Sequence, residues 1–390
     1  MVYLGGGVDV AQRLRDLLTD EHLAVRVPAG TVEAIQSGVR RRRRTRIAGA
    51  SAAVAAVVAV AAVVVGPLAL HRPAKVPHGD LASTIRGVWK PTPFTFLPVQ
   101  MSAPAAMAVS GGVVWVAGPA AGASGGDVLA RIDAASRRVT TLTTGVVSDM
   151  AATPRHLWIA LRRGPGGDGA CSLELRETGR GDVVSTSPLP CDTGNGSAPV
   201  VTANGTHAWV ASDDGHRTHL RLYTVGSSSP TTEAVLPGRL AGPHLLAIGG
   251  TSVYVVTLVP GEGGARLHQL SALDLQPLRT TAAPGARLIA YGNDQVYVAA
   301  ANGIASYPSD LGARHDFAAG RVTTLTTGAG LVWCDPGGGT YTGLDPHTGA
   351  VVGVTTMPAD PGGLLRADGT VLWDVEPAPQ VGVRSAQPAG

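Results

Sequence analysis

Aromatic residues, cysteines and lysines are all scarce in this 390-residue chain, which has 6 Trp, 7 Tyr, 3 Phe and 3 Cys. The only lysines are Lys75 and Lys90, against 29 arginines, a bias that is typical of the GC-rich genomes of actinobacteria and says nothing about function. Glycine and proline are abundant, with 52 and 28 residues. This composition favours short strands joined by tight turns over a mainly helical protein.

The chain also lacks the sequence signatures of several enzyme classes. It contains no H-E-x-x-H zinc motif, no P-loop for phosphate and no Rossmann glycine fingerprint ahead of a helix. The eleven histidines are scattered. Two of them, His156 and His207, are interpreted as turn or packing residues. The sequence therefore predicts no catalytic residue, no metal site and no cofactor.

The excess of basic charge is confined to one end of the chain. Residues 1–46 carry nine arginines and five acidic residues, a net charge of +4. Residues 71–390 carry 22 basic and 23 acidic residues, a net charge of −1. The overall charge of +3 is therefore not the footprint of a nucleic-acid-binding surface, and no nucleic-acid partner is expected.

One long uncharged stretch explains why the basic residues are confined to the N-terminal end. Ile47–Leu70 contains 24 residues and directly follows the arginine cluster Arg40–Arg46. As a helix it would be about 36 Å long, enough to cross a hydrocarbon core of ~30 Å. Because arginine clusters stay in the cytoplasm, we predict a cytoplasmic head (1–46), a transmembrane helix in the lipid bilayer and an extracellular C-terminal domain. A cleaved signal peptide is the alternative, although its apolar run is usually about 7–15 residues long.

The predicted head contains one amphipathic pattern, in which Asp9 precedes three leucines on one helical face. The head is too short to bury a core alone, so it is either a solvated tail or a docking segment for a cytoplasmic partner. It resembles the heads of actinobacterial membrane proteins, including anti-sigma regulators. The zinc-binding His/Cys pattern of many of those is absent, since no cysteine precedes Cys171. Beyond the predicted helix, residues 71–92 are rich in proline and are interpreted as a linker.

A repeated motif occupies the chain from residue 93 onward. In each copy, a turn of Gly, Asn, Asp or Pro is followed by apolar residues and one aromatic residue. The aromatic positions are Trp115, Trp158, Trp209, Tyr254, Tyr297, Trp333 and Trp373. They are 43, 51, 45, 43, 36 and 40 residues apart, and each follows another predicted strand across a tight turn. A period of this kind predicts a repeat architecture.

Four short antiparallel strands in each repeat correspond to one blade of a β-propeller. The motif resembles the YVTN, streptogramin-lyase-like and quinoprotein-like propellers, in which a W-V-A strand precedes a hairpin such as LARIDAASRRVTTL around Asp133. This resemblance implies an all-β fold, a seven-bladed propeller over residues 93–388, with the aromatic residues packed between adjacent blades. The same scaffold supports many unrelated functions.

The last predicted blade is one strand short. After Trp373 the chain offers only one further candidate strand, Val381–Ser385. The segment Pro93–Val99 precedes the first blade and has no blade of its own. We therefore expect this segment to pair into the last blade as its outer strand and to close the ring.

The cysteines are interpreted from their spacing. Cys171 and Cys191 each lie ten residues from Gly181, the centre of a predicted hairpin turn. Facing positions in a hairpin bring Cβ atoms near disulfide range, and an external compartment permits the bond. We predict a disulfide here. Cys334, in the sixth aromatic strand, is predicted to be a buried free thiol.

Polar residues cluster in the loops between second and third strands, the face where a propeller would bind a ligand. The candidates are Arg162, Arg163, Asp213, Asp214, His216, Glu262 and Asp335. The densest group, SDDGHRTH at residues 212–219, is interpreted as a solvated loop, with a weak metal or substrate site as the alternative. We predict a binding, sensing or scaffold module for an unknown extracellular protein or small molecule. The alternative is an extracellular lyase or lactonase-like hydrolase.

Overall fold

The computed structural model describes residues 87–388 with short gaps. The gaps are residues 94, 98–100, 122–125, 163–169, 192–197, 260–263, 302, 318–319, 336–339, 359–362 and 377–380. The predicted head and transmembrane helix, and the predicted linker up to residue 86, lie outside the described residues. The described part contains thirty strands and no helix. Consequently, within it there is no helix with the length and hydropathy needed to cross a bilayer.

Sheets 1 to 3 each contain four consecutive antiparallel strands. Sheet 1 contains β3 (Ala106–Ser110), β4 (Val113–Pro119), β5 (Asp127–Asp133) and β6 (Val139–Thr144). Sheet 2 contains β7 (Val146–Ala152), β8 (His156–Arg162), β9 (Ser172–Glu177) and β10 (Val183–Pro188). Sheet 3 contains β11 (Val200–Asn204), β12 (His207–Asp213), β13 (Arg217–Thr224) and β14 (Thr232–Pro237).

Sheets 4 and 5 repeat this order. Sheet 4 contains β15 (Arg239–Leu240), β16 (Leu246–Gly249), β17 (Ser252–Val259), β18 (Gly264–Ser271) and β19 (Pro277–Ala282), with β15 and β16 both paired to β17. Sheet 5 contains β20 (Leu288–Gly292), β21 (Gln295–Ala300), β22 (Gly303–Pro308) and β23 (His315–Phe317).

Sheet 6 has nine strands, which form two four-strand runs and one additional short strand. Run 6a contains β24 (Leu325–Gly328), β25 (Leu331–Cys334), β26 (Thr340–Leu344) and β27 (Val351–Pro358). Run 6b contains β28 (Leu364–Asp368), β29 (Val371–Glu376), β30 (Gly382–Pro388) and, from the start of the domain, β1 (Gly87–Pro91). The short strand is β2 (Thr95–Phe96).

The two ends of the described chain meet in run 6b. β1 is antiparallel to β30 and parallel to β27, so it joins the two runs. β2, inside the predicted closing segment Pro93–Val99, also pairs with β30. The longer outer strand, however, is β1, which begins six residues before the predicted domain boundary at residue 93. The prolines of residues 71–92 predicted a linker rather than a strand. Pro91, however, is only the last residue of β1.

The aromatic residue of every repeat lies on the second strand of its four-strand run. These strands are β4, β8, β12, β17, β21, β25 and β29. Six of the seven side chains are buried, with exposed fractions of 5% or less, and Trp373 is partly buried. The aromatic residues occupy equivalent positions because the hairpin of first and second strands has the same register in every run. In each run the aromatic residue pairs with a residue of the first strand across a tight turn.

The core consists of seven apolar clusters, and each spans two successive four-strand runs of the described chain. Trp115 of sheet 1, for example, packs with Met150 and Ile159 of sheet 2. In the final cluster, Val375 and Val383 of run 6b pack with residues of sheet 1. The clusters therefore link the runs in a closed cycle, in which every run buries both faces against a neighbour.

The hairpin between third and fourth strands also packs on the preceding sheet. Gly181, in the β9–β10 turn, has a φ of +80°, which favours glycine. A Cβ atom here would lie 2.4 Å from Leu142 Cδ1 and 3.1 Å from the ring of Trp115. The positive φ and the close contact both require glycine at this position. Because the turn packs closely here, sheet 2 covers the ring of Trp115 in sheet 1.

The structure joins Cys171 and Cys191 in a disulfide, with Cα atoms 5.9 Å apart. The two residues do not face each other directly in the ladder. Ser172 pairs with Pro188, so Leu189 is opposite Cys171 and donates its N–H to the Cys171 carbonyl at 2.8 Å. Cys191 lies two residues beyond Leu189, after the end of β10. Cys334 is a buried free thiol, and burial raises its pKa to about 12.

Removal of this disulfide is expected to lower the free energy of unfolding by about 3 kcal/mol, because a bond that closes a loop of roughly 20 residues restricts the unfolded chain. Urea unfolding of the Cys171→Ser/Cys191→Ser double variant measures the loss. Dithiothreitol should destabilise the wild type by a similar amount and leave the double variant unchanged. Two free thiols at these positions in non-reduced protein would contradict the prediction.

His268 on β18 is expected to make the stability of the domain depend on pH. Its ring is buried between two hydroxyls, with Nε2 2.9 Å from Thr257 Oγ1 and Nδ1 3.1 Å from Thr280 Oγ1. Burial, with a smaller effect of the Arg266 charge, lowers the pKa of His268 from 6.5 to about 4. The unfolded chain thus binds a proton at a higher pH than the folded chain does, and folding loses free energy as the pH falls from 6.5 to 4.

For His268, the loss over that pH range should be about 2–3 kcal/mol, at 1.36 kcal/mol for each pH unit. The variant His268→Gln keeps a polar side chain but cannot take up the proton. We expect its unfolding free energy to change less between pH 7.5 and pH 4.5 than that of the wild type. Equal pH dependence of the two proteins in urea titrations would exclude His268 as the source.

Candidate ligand site in the central channel

The predicted loop candidates that the structure describes do not form a common site. Arg163 and Glu262 lie outside the described residues. Arg162 is exposed at the end of β8. Asp335 is buried and accepts a hydrogen bond from Thr323 Oγ1 at 2.7 Å. Among the described residues, no group of three or more His, Cys, Asp or Glu side chains is arranged to hold a metal ion.

Asp213 and Asp214 stabilise the protein locally. Asp213 is fully buried at the end of β12, and its carboxylate accepts the backbone N–H of Leu240, 3.1 Å away in sheet 4. Asp214 accepts the N–H groups of Arg217 and His216 at 2.8 and 2.9 Å. These hydrogen bonds hold the pKa of Asp214 well below its ordinary value. The cluster is therefore a hydrogen-bonded turn whose tip is exposed and whose Asp213 carboxylate is buried.

A different set of residues lines a cavity at the centre of the ring of sheets. The cavity has a volume of about 500 Å³ and is lined by the first strands of all the runs, namely β3, β7, β11, β16, β20, β24 and β28 with the residues next to them. We call this cavity the central channel. Sites for small molecules usually have volumes of roughly 300–1,000 Å³. Most of its lining consists of alanine, threonine and aliphatic side chains.

Asp149 and His244 approach each other in this channel. Asp149 lies on β7 of sheet 2, and His244 precedes β16 of sheet 4. The distance between Asp149 Oδ1 and His244 Nδ1 is 3.7 Å. Both carboxylate oxygens of Asp149 already accept backbone hydrogen bonds, from Met150 at 2.9 Å and Val201 at 3.0 Å. Asp149 is therefore held rigidly beside the imidazole.

The backbone also fixes the position of His244. Its φ is +58°, in the left-handed region that non-glycine residues seldom adopt. Its carbonyl accepts the N–H of Ile289 in sheet 5 at 3.2 Å, which ties this conformation to the neighbouring sheet. The His244 side chain has a relative solvent exposure of 26%, so it remains accessible from the channel. A strained residue whose side chain borders a cavity is a common feature of functional sites.

Arg366 on β28 also lies in the channel wall. Its Nη1 donates to the carbonyl of Leu365 at 3.0 Å. Among the described residues, no carboxylate lies within 4 Å of its guanidinium. Burial lowers the pKa of Arg366, while the Asp149 charge raises it. Burial also lowers the pKa of His244, opposed by Asp149 and reinforced by Arg366.

Arg366 occupies a position that small residues fill elsewhere in the ring. It pairs with the repeat aromatic Trp373. The equivalent partners in the other runs are Ala108, Ala151, Thr202, Ala247, Ala290 and Thr326. An arginine in this position departs from the repeat, which marks it as a residue with a role other than packing.

The sequence contained a signal for all three residues. The first-strand segments VSDMAAT, HLLAI and GLLRA each place one titratable side chain among small and apolar residues. Each segment lies on the predicted strand that precedes an aromatic strand, whereas the predicted ligand residues all came from loops. Chemically, the three can bind and orient a polar group, and neutral His244 can accept a proton.

The pentapeptide at residues 122–126, GASGG, matches the G-x-S-x-G pattern of nucleophile elbows. Such an elbow requires a strand followed by a helix. Here the pentapeptide joins β4 to β5, two antiparallel strands of one sheet, and Ser124 lies outside the described residues. We therefore assign it no catalytic role.

Comparisons with known proteins bear on the fold. No protein-family model and no curated protein matches the sequence. Among solved structures, the chain is similar to hydrazine synthase from Kuenenia stuttgartiensis, with a TM-score of 0.55 and 11% identity over 71% of this chain and 94% of that one. BamB from Moraxella catarrhalis gives a TM-score of 0.49 with 11% identity, over 73% of this chain and 85% of that one. The designed protein Ika8 gives a TM-score of 0.46 with 13% identity, over 74% and 98%.

At 11% identity the first of these similarities concerns the fold alone. It agrees with the multiple four-stranded sheets and with the cyclic packing of their cores. The predicted all-β propeller architecture is thereby confirmed: the domain has a β-propeller fold.

Proposed function

We propose that this protein is a membrane-anchored, extracellular propeller of seven blades that binds a small molecule in its central channel. The observation that carries the proposal is the convergence of Asp149, His244 and Arg366 from three different runs on one cavity. Ligand sites are concave, largely apolar and contain a few polar groups that fix orientation. The central channel is concave and contains a few polar side chains that could fix the orientation of a ligand.

Seven blades are supported by the cyclic packing of the core. Sheets 1 to 5 supply five blades, and runs 6a and 6b supply two, which the pairing of β1 with β27 joins into one sheet. The number of apolar clusters equals the number of interfaces that a ring of seven blades requires. Anchoring rests on the arginine cluster and the uncharged stretch that follows it.

Reporter fusions at residue 46 and at residue 390 test the topology. A reporter active only outside the cell should work at residue 390, and a cytoplasmic reporter should work at residue 46. Cytoplasmic activity of the fusion at residue 390 would reverse the orientation. Release of a shortened soluble protein would instead identify a cleaved signal peptide.

A thermal-shift screen of small acids, amines and neutral sugars on the full-length protein tests binding. Thr202 lines the channel, so Thr202→Trp should abolish the shift given by any binding compound. Thr141 is exposed on the outer strand β6 of sheet 1, and Thr141→Trp is the matched control. Compounds that stabilise the wild type and Thr202→Trp equally would place the ligand elsewhere.

A lyase or hydrolase is the second candidate, and the Asp149–His244 pair favours it. A carboxylate beside an imidazole can orient the ring and stabilise its protonated form, as a general base requires. Turnover of a compound found in the screen would establish this role. His244→Asn, which suits the left-handed backbone, should then abolish turnover while binding persists.

A further inference from the structure

We infer that the ligand of the central channel carries an oxyanion, a carboxylate or a phosphate, which binds the Arg366 guanidinium next to His244. The inference rests on the proposed channel-binding function and names the chemical class of its ligand. The repeat does not explain Arg366, because the equivalent positions of the other runs hold small side chains.

Arg366 is partly buried at the channel wall, and no described carboxylate lies within 4 Å of its guanidinium. An anion from solution could therefore pair with this cation. Its one hydrogen bond to protein that the structure records goes to the carbonyl of the preceding residue, Leu365. The remaining N–H groups form a planar fork whose geometry matches the two oxygens of a carboxylate or phosphate.

The acidic residue of the channel does not supply this partner. Asp149 directs its two oxygens at the backbone N–H groups of Met150 and Val201. It is also the only acidic residue among the described residues that line the channel. An oxyanion between Arg366 and His244 would meet one guanidinium and one imidazole, and among the described lining residues only the Asp149 carboxylate would oppose it.

The titratable residues that line the channel are Asp149 on β7, His244 before β16, Tyr291 on β20 and Arg366 on β28. At the Arg366 guanidinium an anion is attracted and a cation is repelled, whereas the Asp149 carboxylate has the opposite effect. The proposed anion therefore binds at Arg366. Protonation of His244 would add a second positive charge for an anion, at the cost of desolvating the imidazolium.

This arrangement makes anion binding dependent on pH. His244 is neutral in the free protein at pH 7, because burial lowers its pKa. A bound anion stabilises the protonated ring, so binding takes up a proton. Affinity should therefore increase as the pH falls from 8 to 6, and the increase should disappear in His244→Asn, which preserves the backbone conformation without the charge.

The test uses full-length protein in detergent and three probes at constant ionic strength: sodium acetate, its neutral isostere acetamide, and sodium phosphate. The readouts are calorimetric affinity and the NMR signals of the His244 ring. Acetate or phosphate should bind and shift these signals, whereas acetamide should not. The anion that binds with the higher affinity shows whether a carboxylate or a phosphate is the preferred group.

Arg366→Met should reduce anion affinity roughly tenfold or more, as expected for loss of a charge-assisted bidentate contact. Arg180→Met, at an exposed position in the β9–β10 turn, should bind like the wild type and corrects for general salt effects. If Arg366→Met does not fold, Arg366→Lys keeps the charge without the fork and should still weaken binding severalfold.

Equal anion affinity of the wild type and the Arg366 variants would overturn the inference. Binding of acetamide in place of acetate would also overturn it, while the proposed binding function would stand. If none of the probes, and no compound of the broader screen, shifted the His244 signals, the proposed channel function would itself be rejected.

Discussion

Truncation of Trp89 to alanine is expected to lower the free energy of unfolding by about 3–5 kcal/mol, the usual cost for a packed aromatic side chain. Trp89 is the sixth tryptophan of the chain and lies outside the aromatic repeat, on β1. It is fully buried. Its ring meets that of Trp333 edge to face, with centroids 4.7 Å apart, in a cluster shared by runs 6a and 6b.

The loss should exceed that of an ordinary core substitution because β1 is also the strand that joins the two ends of the domain. Without Trp89, the pairing of β1 with β27 and β30 would retain backbone hydrogen bonds but little apolar burial. Urea unfolding followed by circular dichroism measures the loss of stability. Hydrogen exchange should show β1 and β30 opening first in the variant.

Trp89→Phe is the matched control. The indole Nε1 of Trp89 is buried and has no hydrogen-bond partner among the described residues. Phenylalanine retains most of the ring and removes this costly donor. We expect the phenylalanine variant to lose much less stability than the alanine variant. If both variants were as stable as the wild type, β1 would not close the domain.

Replacement of Trp209 by alanine should also cost about 3–5 kcal/mol, and for two reasons. Its side chain packs into the cluster between sheets 3 and 4. Its Nε1 donates to the carbonyl of Ala272 in sheet 4 at 2.9 Å, so truncation also leaves a buried acceptor without its donor. Urea unfolding of Trp209→Ala, compared with the wild type, measures the combined loss.

Trp373→Ala provides the comparison within the same repeat. Trp373 has the equivalent place on β29, but it is only partly buried at the interface of run 6b with sheet 1. Less apolar surface is lost, so the expected cost is smaller than that of Trp209→Ala. A larger loss for Trp373 would mean that the closing interface is more strongly stabilised than burial indicates.

The sequence alone was sufficient to predict the architecture. Seven aromatics at nearly constant spacing mark the second strand of every run, because hairpin register and inward packing impose the same residue type at the same place in each repeat. The Asp133 turn is a similar local device: Asp133 Oδ1 accepts the N–H of Ser136 at 2.7 Å. Local interactions of this kind can be predicted from the sequence without the tertiary structure.

The loop candidates for a ligand site were predicted from residue type alone, and residue type does not reveal what a side chain contacts. Asp213 is an acidic residue in a polar loop, but its carboxylate is buried and bonds the next sheet. Sequence cannot distinguish a ligand-binding carboxylate from one that caps a neighbouring strand, because the two differ only in what the fold brings within hydrogen-bond distance.

The tertiary structure decided two things that spacing could not. Pairing of β1 between β27 and β30 involves strands about 265–300 residues apart, so no local pattern identifies it. The meeting of Asp149, His244 and Arg366 depends in the same way on the closure of the ring, which brings the innermost strands around one channel. The repeat sets the form of each run, whereas the closed ring determines which charged side chains become neighbours.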